Sequence, residues 1–280
     1  MQYKRVLTIQ DISCVGQCSL TVALPILSAC GHETAVLPSA VLSTHTAGFS
    51  GYTFRDLTED MPKIKDHWIK ENIKFDAIYT GYLGSTKQID YVSEFFNETG
   101  KDACIKIVDP AMADNGKLYP GFDNDFVQAM KKLCGEADYL VPNISEACFL
   151  TDTEFKTEYS RDYIDALISK MVALGAKNII LTGVSYEKGK TGVVVFENSM
   201  YSYYEHEQIA GGCHGTGDVY ASAFTGALLK GKDAYTSAKI AADYVLDCIR
   251  VTQDCGENEE KHWYGAKFEP VLYKLIQALN

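Results

Sequence analysis

The chain has 280 residues, 46% of them hydrophobic, and a formal charge of −11 at pH 7. Such a length suits one α/β domain with ample material for a core, and the acidic balance excludes a nucleic-acid surface, which needs a basic face. Nine cysteines (Cys14, Cys18, Cys30, Cys104, Cys134, Cys148, Cys213, Cys248 and Cys255) occur without a C-x-x-C pair. That argues against a zinc site or a disulfide framework and suits a reducing cytosol. The N-terminus runs directly into a strand without a signal-peptide core, and no apolar run approaches membrane-spanning length. The expectation is a cytoplasmic protein with no membrane partner.

Val6-Leu7-Thr8-Ile9 reads as a short buried strand ending in a polar loop, Gln10-Asp11-Ile12-Ser13. Leu20, Ala23, Leu24 and Leu27 then recur at helical spacing. Ligands of open parallel sheets bind at the carboxyl ends of strands, which puts Gln10, Asp11 and Ser13 in a substrate's place. The plainer alternative for Asp11 is a loop-turning residue. Thr34-Ala35-Val36-Leu37 is a second strand, and His45 and Thr46 follow within Ser39-Ala40-Val41-Leu42-Ser43-Thr44-His45-Thr46-Ala47-Gly48-Phe49. Phe49, Tyr52 and Phe54 either wall a pocket or enter a core.

A helix is predicted over 58–73, and a strand over 75–80 that ends in Gly81-Tyr82. Taken alone, Tyr82 reads as an ordinary interface tyrosine. After a helix over 85–99, a strand over 104–108 stops at Asp109-Pro110-Ala111-Met112-Ala113-Asp114. Paired carboxylates on one loop beside a phosphate site are what Mg2+ and its water shell require. The stretch 115–121 is loop-rich. A strand over 137–141 ends in Pro142-Asn143-Ile144-Ser145-Glu146, where Asn143 and Glu146 have capping-box spacing, which by itself explains both. A helix over 161–174, a strand over 179–181 ending in Thr182-Gly183, and a hairpin spanning 192–204 come next.

Gly211-Gly212-Cys213-His214-Gly215-Thr216-Gly217-Asp218-Val219-Tyr220 then reads as a glycine-rich turn opening onto a helix. Glycines let the backbone take positive φ and approach a ligand, and the first amides of a helix form an anion site. Asp218, in the first turn, is placed to take a proton from a hydroxyl attacking a phosphoryl group. A first-turn carboxylate is also favoured by the helix dipole with no chemistry involved. The glycines fit neither the P-loop pattern, for lack of a Lys-Ser/Thr pair, nor the dinucleotide pattern. Helices over 221–229 and 234–252, a polar stretch at 256–262 and a final amphipathic helix within 263–280 complete the chain. Strands with polar ends alternating with helices imply one α/β domain over 1–280, a doubly wound, mostly parallel sheet with helices on both faces.

Gly215-Thr216-Gly217-Asp218, leading into Val219-Tyr220-Ala221-Ser222-Ala223-Phe224, resembles the anion-hole and catalytic-base motif of the ribokinase superfamily. Other segments resemble the pyridoxal kinases within it. They are Gln10-Asp11 (Gln-Ser in that family), Ser43-Thr44-His45-Thr46 (Ser-Asn-His-Thr), Thr80-Gly81-Tyr82, the stretch from Asp109 to Asp114, and Pro142-Asn143-x-x-Glu146. The likeness runs from about residue 3 to about residue 250. It implies a ribokinase-like fold and ATP-dependent phosphorylation of the 5′-hydroxyl of a vitamin B6 vitamer, with Mg2+, as a homodimer; a monovalent cation stays open. Carried over by residue, it implies Asp218 as base and the amides of Gly215, Thr216 and Gly217 as the anion hole. Gln10, Asp11, Ser13, His45, Thr46 and Tyr82 would hold the ring. Asp109, Asp114, Asn143, Thr182, Gly183 and Thr216 would hold ATP, and Asp109, Asn143 and Glu146 the Mg2+. The region after Asp114 is a lid over the phosphates in that family. The alternatives are a hydroxymethylpyrimidine kinase or another small-alcohol kinase, and a non-catalytic vitamer-binding protein, against which the intact Asp218 speaks.

Overall fold

Strand residues that alternate between two apolar faces need two covers, and the chain supplies both. The computed structural model describes residues 3–211, 213–254 and 262–280. From the N-terminus come β1 (Arg5–Ser13), α1 (Leu20–Ala29), β2 (Glu33–Leu42), β3 (Phe54–Asp56), α2 (Met61–Lys70), β4 (Phe75–Thr80) and α3 (Thr86–Glu98). Next are β5 (Gly100–Val108), β6 (Ala113–Asp114), β7 (Lys117–Leu118), α4 (Asn124–Cys134), β8 (Tyr139–Leu140), α5 (Ile144–Leu150) and α6 (Arg161–Ala173). The chain closes with β9 (Asn178–Val184), β10 (Lys190–Glu197), β11 (Met200–Glu207), α7 (Thr216–Leu229), α8 (Ala234–Gln253), a 3-10 turn (Glu269–Val271) and α9 (Leu272–Leu279).

The main sheet has nine strands in the order β11-β10-β9-β8-β5-β4-β1-β2-β3. From β9 to β2 all pairings are parallel; at the edges β3 pairs antiparallel with β2, β10 with β9 and β11 with β10. Alternate residues feed different cores. Leu7, Ile9, Ile78, Ile179 and Leu181 pack with Phe95, Phe126 and Ile168 on one face. Val6, Ala77, Tyr79 and Ile180 pack with Ile26, Phe224 and Ala241 on the other. The doubly wound α/β expectation is met. Helix α7 is buried from Val219 to Leu229, which explains why it is apolar all round. Its N-terminus therefore has a fixed place above the strand ends.

Several local expectations are corrected. Gln10-Asp11-Ile12-Ser13 is not a loop: β1 continues to Ser13, with its register against β2 shifting between Gln10 and Ile12. Likewise β2 runs through Pro38 to Leu42. The proline is tolerated because β3 pairs only with 40–42, leaving that side of Pro38 without a strand. The stretch after Asp109 is not wholly irregular. Asn115 (φ 50°) and Gly116 (φ 72°) make a two-residue turn between β6 and β7, the hairpin that an Asn-Gly pair favours. Helix α4 was not foreseen as an element; the capped start of α5 was, though not its extent, and α7 begins at Thr216, which keeps Asp218 in its first turn although the helical run was expected only from 221. Gly212, Cys255 and all of 256–262 except His262 lie outside the described residues.

Candidate active site

The parallel strands deliver their carboxyl ends to one edge, and α7 points its N-terminus at the same edge. Gly215 caps α7 with φ 78°, and a Cβ there would stand 2.0 Å from the Gln17 carbonyl oxygen. Only glycine fits that approach. The first helical bond is donated by Val219 to the Gly215 carbonyl at 3.0 Å, so the amides of 216–218 have no partner within the helix. Gly217 faces open space, and Thr216 turns its hydroxyl back to the Cys213 carbonyl at 3.3 Å. A helix N-terminus with open amides favours an anion.

Asp218 stands at this N-terminus. Burial pushes its carboxyl up to about 7, the Asp11 charge adds to that, and the Ser19 main-chain N–H opposes it. On the end of β5, Asp109 is buried, its amide donating to the Thr80 carbonyl at 3.0 Å. Its carboxyl is held well above the usual carboxylate range by burial and then by the charges of Glu146 and Asp218. Glu146 completes a capping box on α5. Its oxygens accept from the amides of Met112 (3.2 Å) and Asn143 (2.8 Å), and Asn143 Oδ1 accepts from the Glu146 amide at 2.9 Å. Burial pushes Glu146 up as well, and those amides oppose it.

Asp109 therefore feels the charges of both Glu146 and Asp218. Among the described residues no lysine or arginine offsets Asp109 or Asp218. No group of three or more His, Cys, Asp or Glu side chains converges as a metal cage among the described residues. Magnesium usually keeps several waters and takes one or two carboxylates plus phosphate oxygens. The Asp109 carboxyl, whose charge no hydrogen bond among the described residues supports, fits such a partial ligand. Asn143 and Glu146 are already engaged with main chain and fit contact through water.

The other end of the site is built differently. Asp11 is buried and accepts from the Ser13 hydroxyl at 2.9 Å; burial raises its carboxyl, and the Ser19 and Ser13 hydroxyls oppose that. Gln10 donates to the Thr8 hydroxyl at 2.9 Å and leaves its buried Oε1 without a partner, as Thr44 leaves its Oγ1. His45 has both ring nitrogens occupied: Nδ1 accepts from the Ala47 amide (3.1 Å), so Nε2 carries the proton and donates to the Tyr264 carbonyl (2.6 Å). The ring lies against Phe49 and His214, and Phe49 against Trp263 at 4.6 Å. Tyr82 stacks on Phe122 at 5.5 Å, and burial, with the Asp11 charge second, pushes its hydroxyl up to about 12.

These features are those of a site that accepts an anion at a helix end and a proton at a buried carboxylate. A family model described as phosphomethylpyrimidine kinase matches residues 27–263. The chain belongs to that family. A hydroxymethylpyrimidine/phosphomethylpyrimidine kinase of Bacillus subtilis is 27% identical over 78% of this chain and 79% of its own. A Bacteroides thetaiotaomicron structure described as a phosphomethylpyrimidine kinase, in a crystal form with pyridoxal, superposes with a TM-score of 0.92. It is 35% identical, covering 98% of this chain and 96% of that one. The pyridoxal kinase of Lactobacillus plantarum superposes with a TM-score of 0.90 at 27% identity, covering 99% and 98%. The chain is thus a kinase of the phosphomethylpyrimidine and pyridoxal kinase family, with the ribokinase-like fold expected.

Within this kinase, the foreseen residues fall into three groups. Asp11, Asp109, Glu146 and Asp218 are joined by their charges, and Asn143 by its hydrogen bonds. Thr182 bonds the Pro142 carbonyl through both its amide (2.9 Å) and its hydroxyl (3.2 Å), holding the ends of β8 and β9 together. Thr46, Asp114 and Gly183 are exposed, and Asp114 accepts from both nitrogens of Asn115. Phe54, offered as a pocket wall, is exposed on the edge strand β3. Five residues escaped the sequence reading: Ser19, Tyr79, Tyr119, Trp263 and Tyr264. Tyr79 and Tyr119 both feel Asp109 and Asp218, and burial pushes both hydroxyls up. The aromatic pair Trp263-Tyr264 was the available signal for the last two.

Proposed function

We propose that this kinase transfers the γ-phosphoryl group of ATP to the 5′-hydroxyl of a vitamin B6 vitamer. The observation that carries the reading is Asp218, its carboxyl raised to about 7, beside the open amides of the α7 N-terminus. A base poised near the working pH is the efficient one. The hydroxyl proton passes to the Asp218 carboxylate as the new O–P bond forms and the bond to ADP breaks. The amides of 216–218 meet the charge on the transferring oxygens. Mg2+, when bound through Asp109 and through water by Asn143 and Glu146, would neutralise phosphate charge. Gln10, Asp11, Ser13, His45 and Tyr82 bound the acceptor pocket, Asp11 supplying a carboxylate for a pyridinium nitrogen or an amine. Thr182 and Thr216 approach phosphate.

Support for the vitamer comes from the 35%-identical structure in a form with pyridoxal and from the Thr44-His45-Thr46 and Thr80-Gly81-Tyr82 segments. A homodimer rests on family resemblance, and a cytoplasmic setting on the eight described cysteines, all free. No helix among the described residues is long and apolar enough to cross a membrane. The second reading, a hydroxymethylpyrimidine kinase, is favoured by the Bacillus subtilis relative. Steady-state ATP turnover with pyridoxal, pyridoxine, pyridoxamine and hydroxymethylpyrimidine separates the two. A B6 vitamer is expected to lead the pyrimidine by at least about tenfold in kcat/KM. A lead for the pyrimidine reassigns the substrate, and turnover of none removes both readings, leaving a different small alcohol or binding without turnover.

A further inference from the structure

Gln17 stands in the loop between β1 and α1, and the C-terminal segment 262–269 bends round its side chain. The amide is held at both ends of that segment. Its Nε2 donates to both carboxylate oxygens of Glu269 at 3.1 Å, and its Oε1 accepts from His262 Nε2 at 2.6 Å. The reverse orientation would set the amide oxygen against the Glu269 carboxylate. Between the two bonds Gly265 lies flat on the same side chain. A Cβ there would stand 2.6 Å from Gln17 Oε1 and 2.8 Å from Gln17 Cβ, so glycine leaves the segment room to seat. The seated segment is tied to both ends of the site. Its Tyr264 carbonyl accepts from His45 Nε2 at 2.6 Å, and its Ala266 amide donates to the carbonyl of His214, just before Gly215, at 3.1 Å. Gln17 also reaches that turn directly, since its own carbonyl is what excludes a Cβ from Gly215. Its neighbour Gly16 is as close to the acceptor side: a Cβ there would stand 2.2 Å from His45 Cδ2.

We propose that Gln17 is a positioning residue that sets the acceptor pocket against the anion turn by seating residues 262–266 between them. Only the kinetic consequence rests on the proposed function. Gln17→Ala removes the amide and keeps the main-chain carbonyl against Gly215. Gln17→Glu keeps an acceptor for His262 but puts a second carboxylate against Glu269, and it serves if the alanine variant does not fold. Adding Glu269→Gln turns that repulsion back into a hydrogen bond.

The first test needs no substrate. Hydrogen exchange of the Ala266 amide is expected to quicken about tenfold in Gln17→Ala and to slow again when Gln17→Glu is combined with Glu269→Gln. An unchanged rate in the single variants overturns the proposal. The second test is kinetic. An acceptor held loosely and off line from the anion turn is expected to show KM for the alcohol raised and kcat lowered, each by about tenfold, with KM for ATP within about twofold. A merely structural loss would shrink the folded fraction, lowering kcat with KM for the alcohol unmoved, and that pattern overturns the proposal. The combined variant is expected to recover both constants; recovery of Ala266 protection without them also overturns it. If the unaltered protein turns over none of the four alcohols, the proposed function falls, and the exchange measurement alone decides the role of Gln17.

Discussion

The two ends of the site are built by opposite means. At the phosphate end the main chain does most of the positioning: a helix terminus, a glycine forced into positive φ, and amides that cap Glu146 and Asn143. At the acceptor end, side chains and carbonyls from remote segments are tied together. His45 bonds Tyr264, 219 positions away, and His262 Nε2 bonds Gln17 Oε1 across 245. Buried charge needs a fixed scaffold, because the charges of Glu146 and Asp218 both bear on the buried Asp109. The acceptor end carries one buried carboxylate, Asp11 on β1, and ties it to walls drawn from loops such as that of His45. Substitutions at the first end should therefore strike kcat, and at the second KM.

The sharpest way to break this division is Asp218→Ala. Loss of the base is expected to lower kcat by about 10²–10⁴-fold, with KM for ATP nearly unchanged. Near-normal kcat would remove Asp218 from the mechanism. The pH profile comes next. The Asp218 pKa is raised, so the group is protonated and unable to accept a proton below pH about 7. The kcat/KM of the unaltered enzyme should thus fall about tenfold per unit on the acid side of that value. A limb near pH 4, the ordinary range for a carboxyl at about 3.9, would show that burial is not felt at the base. The smallest effect is expected at the acceptor end. His45→Ala unties the 45–47 turn from Tyr264 and should raise KM for the alcohol about tenfold, with kcat changed less than about threefold. An equal loss in kcat would merge the two ends.

The same division explains what was legible in the sequence. Gly215-Thr216-Gly217-Asp218 and Pro142-Asn143-Ile144-Ser145-Glu146 are contiguous, so local rules for helix starts announced them. The parallel sheet was legible because its strands are short apolar runs with polar ends. The edge strand β3, exposed at all three positions, carries no such signal. Nor was the partnership of His45 with Tyr264 visible, since it is made by a ring nitrogen and a main-chain carbonyl, and any residue has the latter. Ser19 was hidden for a related reason: its φ of 55° ahead of α1 is a backbone angle, which is not written in a side chain.

The aromatic mouth of the acceptor pocket has an optical consequence. The chain holds two tryptophans. Trp68, partly buried, packs against the core on Phe75 and Phe95, whereas Trp263 lies half-exposed against Phe49. One indole therefore reports on the fold, and the other, on the proposed function, stands beside the acceptor site. With Trp68 replaced by phenylalanine, the remaining emission becomes a gauge of the pocket mouth that needs no added dye.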